Sequence, residues 1–444
     1  MHQLLLNLNR PDPEFINLRN DDRPRLAALL KQDLNFHGQA SNYASHNFHA
    51  FPAKFPPQLP RLFIQGLTRP GEVVLDPMVG SGTTLVEAVL AGRQGVGFDI
   101  DPLALKLCQV KVTPLAVDPV AQAGNRVLSQ AAGAVQTQRD RLAKSLPQRF
   151  DPQTQEFVAY WFQPETQLEL LALITEIEQV KDPGIRAFLE LAFSAIIITK
   201  SGGVSLARDL AHTRPHRVTN KIPRSPLAEF KKRFQKNLAS LAYLPWSDSQ
   251  VDIRYANAEA LPLADDFVDL IVTSPPYAAN AIDYMRAHKF SLVWLGHPIE
   301  TLSQKRKKYI GGESVQGFDF EPLPAKAGQA MATIAGQDAQ KGQVLHRYYS
   351  EMTRSLREMF RVLKPGKGAV VVVGTSTMRG QDTRTQECLA DIGQAIGFEV
   401  VDIAVRKLDR DRRMMPARRN QRPSSLIEER MHEEYVIGFY KSAG

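Results

Sequence analysis

The stretch GEVVLDPMVGSGTTLVEAVLAGRQGVGFDIDPLAL, residues 71 to 105, limits the possible folds more than any other part of the chain. Val73 to Leu75 reads as a buried strand, Asp76 to Gly82 as a glycine turn, Thr83 to Ala91 as a helix, and Gly95 to Phe98 as a second strand that ends in Asp99. A strand, a crossover helix and a parallel strand form one βαβ unit, and such units build sheets covered by helices on both faces. Gly80 and Gly82 allow a ligand close to the backbone and leave helix N–H groups facing it. An acid at the tip of the second strand can accept hydrogen bonds from a ribose diol. The unit predicts a nucleoside cofactor at the carboxyl edge of the sheet.

Three nucleosides can be weighed on residues. A phosphate-binding loop requires Gly-Lys-Ser/Thr, whereas Gly82 is followed by Thr83-Thr84 with no lysine. A dinucleotide fingerprint requires a third glycine where Leu85 stands, and Asp76-Pro77 places an acid where a pyrophosphate would be repelled. S-adenosylmethionine carries an ammonium and a sulfonium and no phosphate, so it suits both Asp76 and Asp99.

The second informative stretch is VDLIVTSPPY, residues 268 to 277. A run of Val, Ile and Leu suits the buried centre of a parallel sheet, and Pro275 and Pro276 must end that strand. Proline fixes φ and withholds N–H donors, which predicts a rigid loop whose carbonyl oxygens point outward unpaired. Further along, VLHRYYSEMTRSLREMFRVLKPG reads as a helix stopped by Pro365-Gly366. GAVVVVG is a strand, TRTQECLADIGQAIGFEV gives a helix and the turn into another strand, and EEYVIGFYK is a last strand. The expected architecture is a doubly wound α/β sheet, with its acids, glycines and prolines at strand ends on one edge.

Taken together, DPMVGSGTT, GFDID and TSPPY resemble the amino-group DNA methyltransferases, specifically the branch that methylates N4 of cytosine. HNFHAFPAKFPPQLPRLFI is similar to a segment that precedes the first strand in that family and helps hold the methionine end of the cofactor, with Pro52, Ala53, Lys54 and Phe55 matching. NAEALPLADDFVDLIVTSPPY resembles the stretch that joins the adenine-contacting turn to the catalytic loop. The resemblance spans roughly residues 45 to 112, 253 to 296 and 346 to 440. It implies a mostly parallel, seven-stranded, Rossmann-like methyltransferase sheet with a helical insertion, and S-adenosylmethionine as cofactor. It assigns cofactor contacts to Lys54, Phe55, Asp76, Pro77, Gly80, Gly82, Thr83, Asp99, Ile100, Asn257 and Ala258, and catalysis to Ser274, Pro275, Pro276 and Tyr277. The chain departs from the family in two places. Its cofactor motif precedes the catalytic loop, where many N4-cytosine enzymes run in the opposite order, and Asn257 stands where an Asp often meets the adenine.

The chemistry expected of the loop follows from the substrate. An exocyclic amine of cytosine or adenine is a poor nucleophile because its lone pair is delocalised into the ring. Ser274 Oγ and the Pro275 carbonyl can each accept an amine N–H, localising that lone pair and aiming it. The target base must be flipped from the duplex, and Tyr277 offers a ring for it to stack on. Methylation at cytosine C5 requires a cysteine thiolate next to a proline. Cys108 and Cys388, the two cysteines, lie in helical patterns and read as structural, with no disulfide or zinc spacing.

Charge points to the partner. Net charge is +8, and between Lys200 and Lys236 ten Lys and Arg face only Asp209 and Glu229. Arg406 to Arg422 holds eight basic residues against Asp409 and Asp411, and KRKK occupies 305 to 308. Three such runs favour nucleic acid, which the resemblance implies is double-stranded DNA, with Arg214, Arg217, Lys221 and Arg224 as candidate contacts. The expected organisation is 1–112 as the N-terminal part of the catalytic domain with the cofactor motifs, 113–250 as a mainly helical, basic, target-recognition insertion, and 251–296 as the catalytic-loop part. Residues 297–345 form a second insertion and 346–444 the C-terminal part of the catalytic domain. The sequence shows no internal repeat, no apolar run of membrane length and no secretory leader, so a cytoplasmic enzyme is expected, with a cognate restriction endonuclease as a further partner. N6-adenine methylation and a non-catalytic DNA-binding module are the competing readings.

Overall fold

The computed structural model describes residues 21–51, 54–199, 203–208, 210, 215–241, 249–278, 283–374, 376–408 and 433–443. The main sheet contains β1 (Val73–Asp76), β2 (Gln94–Asp99), β3 (Val251–Tyr255), β4 (Val268–Thr273), β5 (Leu363–Gly374), β8 (Glu399–Lys407) and β9 (Glu433–Lys441). Their order is β3-β2-β1-β4-β5-β9-β8. Strands β3 to β5 pair in parallel, while β9 runs antiparallel to both β5 and β8. A two-residue ribbon, β6 (Thr377–Met378) with β7 (Gln381–Asp382), follows β5. This is the doubly wound, mostly parallel, seven-stranded sheet expected from the sequence.

Alternation along the central strands divides the core. Leu270 and Val272 of β4 join Val370 and Val372 of β5 on one face, whereas Ile271 joins Val371 and Val373 on the other. The first face is covered by α1 (Arg23–Leu30), α2 (Gln58–Leu67) and α3 (Thr83–Leu90). Helix α4 (Pro102–Val112) turns Cys108 toward Val79 and Leu85, and Leu103 and Leu107 toward a separate helical layer.

That layer contains α5 (Val117–Thr137), α6 (Arg139–Arg149), α7 (Pro152–Trp161), α8 (Pro164–Glu178), α9 (Pro183–Ile197), α10 (Pro226–Leu241), α11 (Met285–Leu292) and α12 (Ile299–Arg306). Its helices begin where the sequence says they should. Asp151 caps α7 through the Thr154 N–H at 3.0 Å and Asp182 caps α9 through the Ile185 N–H at 2.8 Å, each followed by a proline in the first turn. Met285, Phe290, Trp294, Ile299 and Leu302 share this core, so the chain after the catalytic loop packs on the helical layer and runs through the boundary expected at 296.

The opposite face of the sheet carries α13 (Ala325–Ala335), α14 (Ala339–Val362) and α15 (Thr385–Ile396). Asp338 caps α14 at the Lys341 N–H, so this helix crosses the boundary expected at 346. It ends at Val362, and β5 begins at once, with Pro365 and Gly366 inside the first residues of the strand rather than stopping the helix. Among the described residues no helix is long and apolar enough to cross a membrane.

Candidate active site

Strand β1 ends at Asp76, which is buried at 2 % exposure. Its Oδ1 accepts from the Met78 N–H at 3.1 Å and from Thr273 Oγ1 at 2.7 Å, and Thr84 also acts on it. Burial pushes the Asp76 carboxyl up to about 6 against these three donors. The Thr273 bond ties the cofactor turn to the residue immediately before Ser274. A second tie runs beside it, from Thr84 Oγ1 to the Val272 carbonyl at 3.1 Å.

The glycine turn is held from the neighbouring strand. The Val79 N–H meets the Phe98 carbonyl at 2.9 Å, and the Gly80 N–H, at φ +46°, donates to Asp99 Oδ2 at 2.9 Å. The two glycines have different reasons. A Cβ on Gly80 would meet Phe51 at 3.5 Å, an ordinary contact on a side open to a ligand. A Cβ on Gly82 would lie 2.8 Å from Cys108 Sγ, so Gly82 serves helix packing rather than the close ligand approach expected of it. Helix α3 starts at Thr83 with no side-chain cap, as an anion- or dipole-binding terminus would. Thr83 is itself buried, its hydroxyl 2.9 Å from that of Ser81, and Pro77 is buried in the turn. Beneath the turn, the buried Lys111 ammonium donates to the Ser81 carbonyl at 2.6 Å, and burial holds it well below the usual lysine range.

Asp99, partly exposed at the tip of β2, accepts from Gly80 on one oxygen and from the Asp101 N–H at 2.9 Å on the other. Burial, reinforced by the Asp101 charge, pushes its carboxyl up to about 7. Ile100 is half-buried between the two acids. Asp101 Oδ1 caps α4 at the Leu103 N–H, 2.8 Å, while its Oδ2 takes His288 Nδ1 at 2.6 Å and the Tyr309 hydroxyl at 2.8 Å. Burial raises the Asp101 carboxyl, but His288, the Tyr309 hydroxyl and the Leu103 N–H together outweigh it and the net shift is downward. His288 Nε2 is buried with no partner among the described residues, and its ring lies 5.5 Å from that of Phe51, which stacks on Tyr284 at 5.0 Å. His288, Tyr309 and Lys111 lie outside the motifs, whereas Thr273 of TSPPY and Asp101 of GFDID lie inside them but are assigned no role by the resemblance.

The turn after β3 attaches to the same strand end through the Ala256 N–H and the Asp99 carbonyl, 3.3 Å apart. Ala258 is buried. Asn257 is exposed, its amide exchanging hydrogen bonds with Glu259 at 3.1 and 3.2 Å. Lys54 Nζ donates to the His46 carbonyl at 2.8 Å. Phe55 lies in the core beneath α1 and α2, which makes it a packing residue rather than the cofactor contact expected.

The catalytic loop differs from expectation at two residues. The Pro276 carbonyl is not free, because the Tyr348 hydroxyl donates to it at 2.9 Å; among the described residues no donor reaches the Pro275 carbonyl. Tyr277 is 8 % exposed, with its ring against Gly374 and its hydroxyl donating to Glu434 at 3.1 Å, so it does not stand open as a stacking platform. Ser274 is half-buried beside the Tyr277 hydroxyl.

Of the basic residues singled out, Arg214 lies outside the described residues, as does most of the run from Arg406. Arg406 itself is buried against Glu434. Arg217 is exposed and sits 4.5 Å over the ring of Tyr160, and Arg224 is exposed with Glu229 at 3.4 Å. Lys221 donates to the Ser205 and Ala207 carbonyls at 2.7 and 2.6 Å. Its ammonium braces the loop and is not the phosphate contact expected. Among the described residues no group of His, Cys, Asp and Glu is placed to hold a metal ion.

A doubly wound sheet with a glycine turn at one strand end and a carboxylate at the next defines a nucleoside-binding enzyme. Acids rather than phosphate-binding cations around that turn fit S-adenosylmethionine, the cofactor of a methyltransferase. A protein-family model described as DNA methylase matches residues 31–109. The type II methyltransferase M.MvaI of Kocuria varians is 24 % identical over 396 residues, covering 81 % of this chain and 85 % of that protein. M.BsoBI of Geobacillus stearothermophilus is 21 % identical over 416 residues, 82 % of this chain and 80 % of its own length. M.AvaI of a Nostoc species is 23 % identical over 374 residues, 75 % and 74 % respectively. These matches support an amino-group DNA methyltransferase.

Proposed function

We propose that the protein is a site-specific modification enzyme of the type II kind that methylates the N4 amine of a flipped cytosine in double-stranded DNA. The observation that carries the reading is the Thr273–Asp76 hydrogen bond, which sets Ser274-Pro275-Pro276 directly beside the cofactor turn. Asp99 would hold the ribose diol, Asn257 and Ala258 the adenine, Ile100 the adenine face, Lys54 the methionine carboxylate, and the Gly80 turn with the uncapped start of α3 the remaining polar edge. The bound cofactor supplies a methyl group already activated by the sulfonium. The protein's task is then positional. Ser274 Oγ and the Pro275 carbonyl accept the two amine hydrogens, which turns the nitrogen lone pair out of the ring and toward the methyl group. The Tyr348 bond to Pro276 and the Tyr277 bond to Glu434 keep these acceptors preorganised.

Cytosine is read as the base because TSPPY, with Ser274 before the two prolines, resembles the N4-cytosine branch. The hydroxyl can accept from the amine and donate to the flanking ring nitrogen, cytosine N3 or adenine N1, so the choice of base rests on that resemblance. Arg217 and Arg224 would contact the DNA backbone. A cognate restriction endonuclease and a cytoplasmic location complete the proposal. Transfer of labelled methyl from the cofactor to bulk duplex DNA tests the reading: incorporation is expected, and binding of DNA without incorporation would leave a non-catalytic DNA-binding module.

A further inference from the structure

The basic run Lys305-Arg306-Lys307-Lys308 lies at the end of α12, and three contacts fix it to the carboxyl edge of the sheet. Lys305 Nζ sits 4.7 Å over the ring of Tyr255, the last residue of β3. Arg306 Nε meets Asp283 Oδ2 at 2.5 Å, and Asp283, also paired with Arg286 at 2.8 Å, stands where the chain leaves the catalytic loop. Tyr309 donates to Asp101, in the acid turn that carries Asp99. The two acids these contacts reach are therefore already occupied: Asp283 by two arginines, Asp101 by His288 and Tyr309. Lys307 and Lys308 are exposed, and neither ammonium pairs with a carboxylate among the described residues.

A helix C-terminus attracts cations, and that accounts for Lys305 and Arg306 in the last turn of α12. It does not account for two further uncompensated ammoniums on the cap and beyond, on a segment pinned at both ends beside the loop that must receive the base. We propose that Lys307 and Lys308 bind backbone phosphates of the DNA strand carrying the target base, at the mouth of the catalytic loop. The inference rests on DNA being the substrate. It assigns this run a different place from Arg217, which lies on the loop that packs on the end of α7 through the Leu206 N–H and the Trp161 carbonyl. A run anchored to the acid turn and to the exit of the catalytic loop loses little freedom when phosphate binds, which suits it to hold the backbone while the base leaves the stack.

The test is the salt dependence of binding to sheared duplex DNA for the full chain, for Lys307→Ala/Lys308→Ala and for Lys307→Arg/Lys308→Arg, with the distant exposed Lys181→Ala as control. Each lost phosphate contact lowers the log–log slope by about 0.9, so the alanine pair is expected to lower it by about 1.8, the arginine pair to restore it, and the control to match wild type. An alanine pair with the wild-type slope would overturn the proposal. Wild-type methyl transfer to the same DNA is measured separately. A changed slope without any transfer would count against the methylation reading and leave the phosphate contact standing, whereas transfer with an unchanged slope would remove the contact alone.

Discussion

Replacing Asp99 with Asn changes one group at the point where cofactor and fold meet. Each Asp99 oxygen already accepts one backbone N–H, from Gly80 and from Asp101, which leaves one lone-pair position per oxygen for a diol. The amide keeps one acceptor and turns an NH2 toward one of those backbone donors. The loss is that of a charge-assisted hydrogen bond, about 1.5–3 kcal/mol, or roughly ten- to a hundredfold in cofactor affinity. Acidity gives an independent signature. With the Asp99 carboxyl raised to about 7, and with diol hydroxyls donating to its charged form, the cofactor binds the ionised state. Wild-type affinity should therefore rise with pH through about 7 and level off above it, falling about tenfold for each unit below. The variant should lack that component, and because the cofactor's own amine titrates equally with both proteins, the difference between the two profiles isolates Asp99. Titration calorimetry from pH 6 to 8.5 measures it. Equal affinities, or two profiles of the same shape, would refute the assignment.

Thr273→Val removes a donor from the buried Asp76 and should lower stability by about 1.5–3 kcal/mol at pH 8. Because the folded pKa of Asp76 lies above its unfolded value, its ionisation costs stability as pH rises from the unfolded value to about 6. Losing a donor extends that cost upward, so the deficit in urea melts should shrink at pH 5; an equal deficit at both pH values would contradict this account. Gly82→Ala brings a Cβ against Cys108 at φ +74° and should cost about 1–3 kcal/mol in thermal or urea melts, while an unchanged midpoint would show that α4 yields freely. Replacing Arg217 and Arg224 with Ala should lower the salt slope of DNA binding by about 1.8, whereas Lys221→Ala should act on stability instead, since its ammonium holds two carbonyls of its own loop.

The sheet was legible because its signals are local. Val268 to Thr273 is buried at all six positions, Asp269 included, Asp76 and Asp99 are the last residues of their strands, and Ser274 follows directly after β4. What escaped the sequence depends on pairings across long separations. Asp76 meets Thr273 from 197 residues away and Asp101 meets His288 from 187, and no periodicity encodes such partners. Charge counts fail for a related reason. Lys221, Arg406 and Lys111 are cations in composition, but each spends its donors inside the protein. Tyr277 shows the same limit: its position after two prolines was plain, but Gly374 and Glu434, which bury it, come from β5 and β9. The helix at Ala325–Ala335 was missed because a Gly-, Gln- and Ala-rich stretch carries little apolar contrast for a 3.6-residue period to display, and that at Ile299–Arg306 because its eight residues hold only Ile299 and Leu302 as large apolar side chains.

The central claim is that Ser274 and its loop direct a methyl group to the N4 amine of cytosine, and the direct measurement is the identity of the modified nucleoside. DNA methylated by the wild-type protein, digested to nucleosides and analysed by mass spectrometry, is expected to contain N4-methyl-2′-deoxycytidine. Ser274→Ala should yield it at a rate lower by about 2.7–4 kcal/mol in activation free energy, the cost of deleting one preorganised polar partner of a reacting group. N6-methyl-2′-deoxyadenosine in that digest, or undiminished N4-methyl-2′-deoxycytidine from the alanine variant, would contradict the account.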